Sequence, residues 1–353
     1  MKIIVLPGDG IGPEITAASV APLDVLNERF GLGLDLVEME IGFKAIEAAG
    51  TSVPEPVRDA CDAAAGVILG PVDTFAYPKE EEVGINPSKF MRTEFDLYAN
   101  IRPSKTRDGV PSVARKMDLV ICRENTEGLY ADRNMFMGSG EFMPTEDVAL
   151  SVRKITRQGC ARIAKTAFDL AMRRRKKVTA VHKANVLKMT DGLFLEVVRD
   201  LAQDYPEVEV EELIVDAMTA HLIRRPETFD VVVTTNAFGD ILSDEAAELS
   251  GGLGLGGALN AGDNHGIAQA AHGAAPDIAG QGVANPTALM LSTSMMLEWV
   301  GQRHDRDDII KAAKAYEDAV EAALGDADAR TPDVGGNGGT ERFGARVAEL
   351  IAG

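Results

Sequence analysis

Cysteine is sparse and scattered: Cys61, Cys122 and Cys160 lie far apart with no CxxC pair, so neither a disulfide framework nor a cysteine-based zinc site is expected. Positive charge is in deficit, with 36 Lys and Arg against 55 Asp and Glu and a formal net charge of −19. That balance argues against a nucleic-acid partner, whose phosphates would be repelled. It does not exclude a small anionic substrate if arginines focus positive potential locally. No apolar run reaches membrane-spanning length, and no signal peptide precedes the strand-like residues 3–6, so a cytoplasmic protein without a membrane partner is expected. The dinucleotide fingerprint is also missing. Pro7-Gly-Asp-Gly-Ile-Gly12-Pro13-Glu14 approaches it but puts Pro13 where GxGxxG requires glycine or alanine, and no acid clearly ends a second strand at the right distance. A glycine turn into a helix with proline in its first turn is the preferred reading.

What is present is 353 residues, enough for two domains or one large α/β unit. The chain is organised around residues 230–256. Val231-Val-Val-Thr-Thr235 is a β-branched run that reads as a buried strand. Asn236 to Gly239 break it, and Asp240 opens a helical segment that ends in the glycine-rich stretch 251–257. Asp240 and Asp244 are four residues apart, so a helix puts both on one face, where they repel unless a cation lies between them. Carboxylates at the carboxyl end of a strand suit a hard divalent ion such as Mg²⁺, with Asp216 the candidate third ligand. The alternative is a solvated acidic first turn complementing the helix dipole.

Elsewhere, strand-like and helical stretches alternate through 34–40, 56–64 and 66–69, and a long irregular segment to about residue 86 has the length of a functional loop. Arg92 and Arg102 bracket a helix-to-strand junction, and Arg123 ends a strand that runs into a polar loop. Three arginines near strand ends suit a polycarboxylate, because the guanidinium fork pairs with it bidentately; surface ion pairing is the alternative. Residues 134–148 crowd Met and Phe around Gly138-Ser-Gly140, which reads as a hairpin burying its apolar side chains against another subunit, or as a lid. A long helix is expected over 151–175, and its basic end favours the helix dipole rather than nucleic acid. Lys183, just past the strand 178–181, is a base or an exposed cation. Residues 271–286 form a Gly- and Pro-punctuated loop of a size to wrap a nucleotide. The Met- and Leu-rich helix 287–300 reads as core.

Taken together, these stretches resemble the β-decarboxylating dehydrogenases, the family of isocitrate, 3-isopropylmalate, homoisocitrate and tartrate/malate dehydrogenases. The resemblance rests on six motifs in order: Leu6-Pro-Gly-Asp-Gly-Ile-Gly-Pro-Glu14, Asp96-Leu-Tyr-Ala-Asn-Ile-Arg-Pro103, Arg123-Glu-Asn-Thr-Glu-Gly-Leu-Tyr130, His182-Lys-Ala-Asn-Val186, Asn236-Ala-Phe-Gly-Asp-Ile-Leu-Ser-Asp244 and His272-Gly-Ala-Ala-Pro-Asp-Ile-Ala-Gly280. It spans essentially the whole chain.

The resemblance implies a two-domain isopropylmalate/isocitrate dehydrogenase-like α/β fold, not a Rossmann fold. One domain is formed by both chain ends, 1–97 and 252–353, and a central domain, 98–251, carries the dimerisation arm at about 134–148. It implies that Arg92, Arg102 and Arg123 hold the malate carboxylates, and that Tyr130 and Lys183 are the catalytic acid and base. Asp216, Asp240 and Asp244 would surround Mg²⁺ or Mn²⁺. Lys183 and Asp216 would serve a partner's site, making the protein a homodimer with shared active sites. Asn185 and Thr74 fall on the nicotinamide side, and His272, Gly273, Asp277, Ile278 and Asn285 on the adenosine loop. Asp277 followed by Ile278 matches the NAD pattern, since a carboxylate accepts from ribose hydroxyls and repels a 2′-phosphate. The chemistry implied is hydride transfer from C2 with Lys183 as base, loss of CO₂ from the β-keto acid, and protonation at C3 by Tyr130, with the divalent ion as Lewis acid.

Two departures stand out. The family commonly has glutamate where Gln269 stands. The segment Ile85-Asn-Pro-Ser-Lys89 lacks the leucines expected for an isopropyl group; Ser88 and Lys89 suit a malate whose C3 substituent is polar or anionic, as in homoisocitrate, isocitrate or a phosphonate analogue. The alternatives are 3-isopropylmalate or tartrate/D-malate as substrate, Lys89 then pointing to solvent. A different class of reading is a non-catalytic regulatory subunit, which predicts loss of the tyrosine, lysine or an aspartate; none is lost.

Overall fold

The computed structural model describes residues 1–130 and 140–353. Its backbone gathers into two compact units: Met1–Met91, Arg107–Ser112 and Gly251–Gly353 form a terminal unit, and Arg92–Thr106 with Val113–Ser250 form a central one. The chain begins with β1 (Lys2–Leu6), α1 (Gly12–Phe30), β2 (Asp35–Glu38), α2 (Phe43–Ala49), α3 (Glu55–Asp62), β3 (Gly66–Leu69), α4 (Glu80–Val83) and α5 (Pro87–Glu94). Next come β4 (Ala99–Lys105), β5 (Asp118–Glu124), β6 (Glu141–Thr145), β7 (Val148–Ser151), α6 (Arg157–Met172) and β8 (Lys177–His182). The middle ends with α7 (Thr190–Ala202), β9 (Glu209–Ile214), α8 (Val215–Arg224), β10 (Val231–Thr234) and α9 (Asn236–Ser250). The chain closes with β11 (Leu259–Ala261), β12 (Gly266–Gln269), α10 (Thr287–Arg303), α11 (Asp307–Leu324) and α12 (Thr340–Ala352).

In the terminal unit the strands run in the order β2-β1-β3-β12-β11, parallel except for the β11–β12 hairpin. β3 is buried throughout, and β1 after Lys2, which explains their unbroken apolar runs: helices cover both faces of a parallel sheet. Pro13 opens α1 and Gly31 closes it in the left-handed conformation (φ 62°), its N–H returning to the Asn27 carbonyl. α10 is nearly all buried, so its methionines and leucines are core, as expected.

In the central unit the order is β4-β5-β10-β8-β9, with β4 antiparallel to β5 and the rest parallel. The two-residue period of β10 divides its valines between two cores. Val231 and Val233 pack with Phe168 and Phe194 beneath α6 and α7. Val232 packs with Leu222, Leu242 and Ala246 beneath α8 and α9.

Two local expectations are corrected. The helix expected over 151–175 starts only at Arg157, because Thr156 is extended and its side chain caps the Gly159 N–H at 3.0 Å; Ser151 belongs to β7. Asn236 to Gly239 are not a break but the first turn of α9. A Cβ at Gly239 would lie 2.6 Å from Arg123 Cγ, so this glycine lets the helix press against β5 rather than stopping it. Of the segment 134–148, residues 134–139 lie outside the described residues. The rest enters the β6–β7 hairpin, whose Phe142, Met143 and Leu150 are exposed.

Candidate active site

The antiparallel β4–β5 pairing sets Asn100 opposite Arg123 and Arg102 opposite Ile121, bringing two guanidinium groups to the face where α9 begins. Both are buried, Arg123 only 2% exposed, and a buried charge must be paired. Arg123 donates through Nε and Nη2 to Asn236 Oδ1 at 3.1 and 2.6 Å, and through Nη1 to Asp240. Arg102 donates to Asn100 Oδ1 at 2.6 Å, Ser243 Oγ at 2.7 Å and Asp244 Oδ1 at 3.1 Å, and lies 3.5 Å from Asp240. Thus the cation that the Asp240–Asp244 spacing requires is Arg102. Burial, and next the repulsion of Arg123, push Arg102 down to about 10, which leaves it charged at neutral pH. Asp244 is raised by burial more than the arginines lower it. Tyr130 completes the group: its hydroxyl is 3.4 Å from Asp240 Oδ2, and the Arg123 guanidinium stands 5.8 Å from its ring centre.

Lys183 and Asp216 form a second cluster in the same unit. β8 and β9 run parallel, setting His182 beside Ile214, so the residues just past both strand ends meet. Lys183 pairs with Asp216 and holds its carboxyl below the usual range. The Lys183 backbone N–H donates to Asp191 Oδ2 at 2.5 Å. Asp191 is fully buried and paired with Arg153. Asn185 is exposed in the turn that follows. Asp216 is not gathered with Asp240 and Asp244: among the described residues no three His, Cys, Asp or Glu side chains are grouped to hold an ion.

In the terminal unit, Ile11, Gly254, His272, Gly273, Ile278, Asn285 and Asp333 line a cavity of about 240 Å³. The β1–α1 loop pins the adjoining segment: Ile11 N–H donates to Ala274 O at 2.8 Å, and a Cβ on Gly10 (φ 57°) would strike that carbonyl. His272 Nδ1 donates to Gly273 O at 3.0 Å. This leaves Nε2 as an acceptor, shielded from solvent and without a hydrogen-bond partner among the described residues. Burial lowers the pKa of this histidine and keeps it neutral. Asn285 donates to Asp333 Oδ2 at 3.0 Å, while Asp277 is exposed. Ahead of α5, Asn86 caps the helix by accepting from Ser88 N at 2.9 Å and Lys89 N at 3.2 Å, and it donates to Thr74 Oγ1 at 3.1 Å. Arg92 lies in the last turn of α5 and is half-buried.

Sequence reasoning missed Asn236, Ser243, Asn100, Asp191, Arg153 and Asp333. Asn236 and Ser243 had a signal, since each lies on the helix that carries Asp240. Arg153 and Asp333 had none.

The family model described as isocitrate/isopropylmalate dehydrogenase matches residues 2–347. The chain belongs to this family. It is 42% identical over 352 residues to the isocitrate/homoisocitrate dehydrogenase of Thermus thermophilus, covering 99% of this chain and 98% of the relative. It is 41% identical over 339 residues, 96% of each chain, to the 3-isopropylmalate dehydrogenase of Sulfurisphaera tokodaii. The crystal structure of isocitrate dehydrogenase from Methylococcus capsulatus superposes with a TM-score of 0.87 at 39% identity, over 100% of this chain and 99% of that one. The protein is therefore an oxidoreductase of the decarboxylating class that acts on hydroxy acids. Identity near 40% to enzymes of either substrate does not choose between them.

Proposed function

We propose that this dehydrogenase oxidatively decarboxylates a 3-substituted malate with a polar or anionic C3 substituent, using NAD and Mg²⁺ or Mn²⁺. The observation that carries the reading is the interleaving of two buried guanidinium groups, Arg102 and Arg123, with Asp240, Asp244 and the Tyr130 hydroxyl. Forked cations fit the malate carboxylates. Hard carboxylate oxygens fit a divalent ion, but Asp240 and Asp244 are only two of the ligands it needs. Asp216 and Lys183 lie apart from them in this chain, which supports their serving the site of a second copy. Bound there, the ion would supply Lewis acidity at the hydroxyl being oxidised. Lys183, as the neutral amine, would take the C2 hydroxyl proton and pass it on to solvent. Tyr130 would deliver a proton to C3 after CO₂ leaves.

The terminal-unit cavity fits adenosine. His272 Nε2 is an acceptor with no partner among the described residues, complementary to an adenine amino group, and the Asp277 carboxylate would accept from ribose hydroxyls and repel a 2′-phosphate. Tyr130, Lys183 and all three aspartates are retained, which argues against a non-catalytic regulatory chain.

The test is a panel of malates (isocitrate, homoisocitrate, 3-isopropylmalate, tartrate and D-malate) assayed with NAD and Mg²⁺ or Mn²⁺ by NADH absorbance. An anionic C3 substituent should give the highest kcat/KM. Lys89→Leu should then lower it by at least about tenfold, the cost of truncating one partner of a partly desolvated charge pair. A preference for 3-isopropylmalate that Lys89→Leu leaves untouched would refute the anionic-substituent reading.

A further inference from the structure

Each guanidinium at the head of α9 has two kinds of partner. One is carboxylate: Asp240 for Arg123, and Asp244 with Asp240 for Arg102. The other is a neutral carboxamide. Asn236, the first residue of α9, is fully buried, and its Oδ1 takes the Arg123 Nε–H at 3.1 Å and the Nη2–H at 2.6 Å. Asn100, 1% exposed, lies two residues before Arg102 on the same face of β4, and its Oδ1 takes the Arg102 Nε–H at 2.6 Å. A guanidinium only donates, so the atom that meets it must be the oxygen of each amide. That assignment leaves Asn236 Nδ2 buried, with no hydrogen-bond partner among the described residues. For stability alone, aspartate would be the better residue at 236. It would accept the same two protons, pair with a buried charge and strand no donor. What aspartate cannot do is hold an arginine without cancelling its charge.

We infer that Asn236 and Asn100 are positioning residues for the substrate-binding arginines: neutral acceptors that hold Arg123 and Arg102 in place while leaving their charge for the substrate carboxylates. This rests on the function proposed above and extends it to two uncharged residues. The reason lies in the charges. Two arginines and two aspartates sum to zero, and a divalent ion arriving with two malate carboxylates keeps the sum at zero. As the aspartates turn to the ion, the carboxamides remain to fix each fork, with Ser243 Oγ a further neutral acceptor for Arg102 at 2.7 Å. A carboxylate at 236 or 100 would leave the filled site with an uncancelled negative charge near those of the substrate, and like charges held close cost affinity. A methyl group there would loosen the fork but keep its charge. Aspartate and alanine at these positions therefore act in opposite order on stability and on substrate affinity.

The test compares wild type with Asn236→Asp, Asn236→Ala, Asn100→Asp and Asn100→Ala. Stability is read by urea unfolding. Binding of isocitrate, homoisocitrate and 3-isopropylmalate with Mg²⁺ is read by calorimetry without NAD, so that no turnover intervenes, and Mn²⁺ binding is read without substrate. Asn236→Asp should unfold at higher urea than Asn236→Ala. It should nonetheless bind every malate that wild type binds more weakly than Asn236→Ala does, and at least about tenfold more weakly than wild type. KM should rise by a similar factor for each, because the carboxylates are common to them. Mn²⁺ should bind Asn236→Asp at least as tightly as wild type, since an added negative charge does not repel it. The Asn100 pair should show the same crossing of order, and it decides alone if Asn236→Asp does not fold. Hydrogen bonding without regard to charge puts aspartate ahead of alanine in stability and in malate binding alike. That result, or weakened Mn²⁺ binding by Asn236→Asp, overturns the inference while leaving the proposed function intact. A wild type that neither binds nor oxidises any of the three malates overturns both.

Discussion

Asp191 offers a direct measurement of how the Lys183 segment is held. Its carboxylate is fully buried at the start of α7. Oδ2 accepts the Lys183 N–H at 2.5 Å, and Oδ1 accepts from Arg153. Arg153 also donates to Thr190 Oγ1 at 2.8 Å and Thr235 Oγ1 at 2.9 Å, with its guanidinium 5.3 Å from the centre of the Phe238 ring. One ion pair thus joins the β7 exit, the start of α7, the end of β10 and the first turn of α9. Asp191→Ala strands a guanidinium that is 14% exposed and leaves the Lys183 N–H without its acceptor. Removing one partner of a buried pair costs about 3–5 kcal/mol, a large part of the ~5–15 kcal/mol that stabilises a typical protein. Asp191→Asn keeps the shape and one acceptor oxygen, so its cost should be nearer 1.5–3 kcal/mol, roughly that of a charged hydrogen bond. Arg153→Met with Asp191→Leu removes both charges and should destabilise less than the two single changes summed. The assay is urea unfolding followed by far-ultraviolet circular dichroism, since Trp299, the single tryptophan, belongs to the terminal unit. An Asp191→Ala protein within about 1 kcal/mol of wild type, where ordinary surface changes fall, would refute the argument.

Other expectations follow from the proposed function. Asp240→Asn should weaken Mn²⁺ binding, measured by calorimetry, and lower activity by orders of magnitude while the circular dichroism spectrum stays unchanged; full activity in excess chelator would sink the metal assignment. NAD should exceed NADP in kcat/KM because of Asp277, and Asp277→Lys should narrow the ratio; a wild-type preference for NADP contradicts that reading of the loop. Inactive Tyr130→Phe and Lys183→Ala proteins, mixed and allowed to exchange subunits, should recover activity, since one hybrid site receives both intact groups. No recovery despite demonstrated exchange argues for sites built within one chain.

The fold class was legible because its signals are local or repeated. The valines of β10, buried on both faces, appear in sequence as an unbroken β-branched run, and six motifs in order span the chain. The pairing of Asp240 with Asp244 was legible from helical spacing alone. What lies between them was not. Arg102 reaches that helix only because β4 turns back antiparallel on β5, a register fixed by tertiary structure. Asp191 was invisible for a related reason: an acid in the first turn of a helix reads as a dipole partner, and nothing local announces that Arg153 will bury it. The start of α9 was misplaced because Gly239 reads as a breaker. Its actual role is steric, admitting Arg123 where a Cβ would collide.

The arrangement at the head of α9 bears on how substrate and ion would bind. Arg102 and Arg123 satisfy Asp240 and Asp244, so the four charges form one nearly neutral cluster. On the proposed reading, a malate carboxylate must draw an arginine away from its aspartate, and a divalent ion must draw an aspartate away from its arginine. Either ligand alone leaves a partly buried charge of the protein without a partner, a cost that sets against its own contacts. Both together exchange internal pairs for external ones and leave no charge stranded. Each therefore strengthens the other, by the same factor in both directions. Malate should tighten Mn²⁺ binding and Mn²⁺ should tighten malate binding equally. Asp244→Asn, which loosens the hold on Arg102 while Arg123 keeps Asp240, should reduce that coupling more than it reduces the affinity for malate alone.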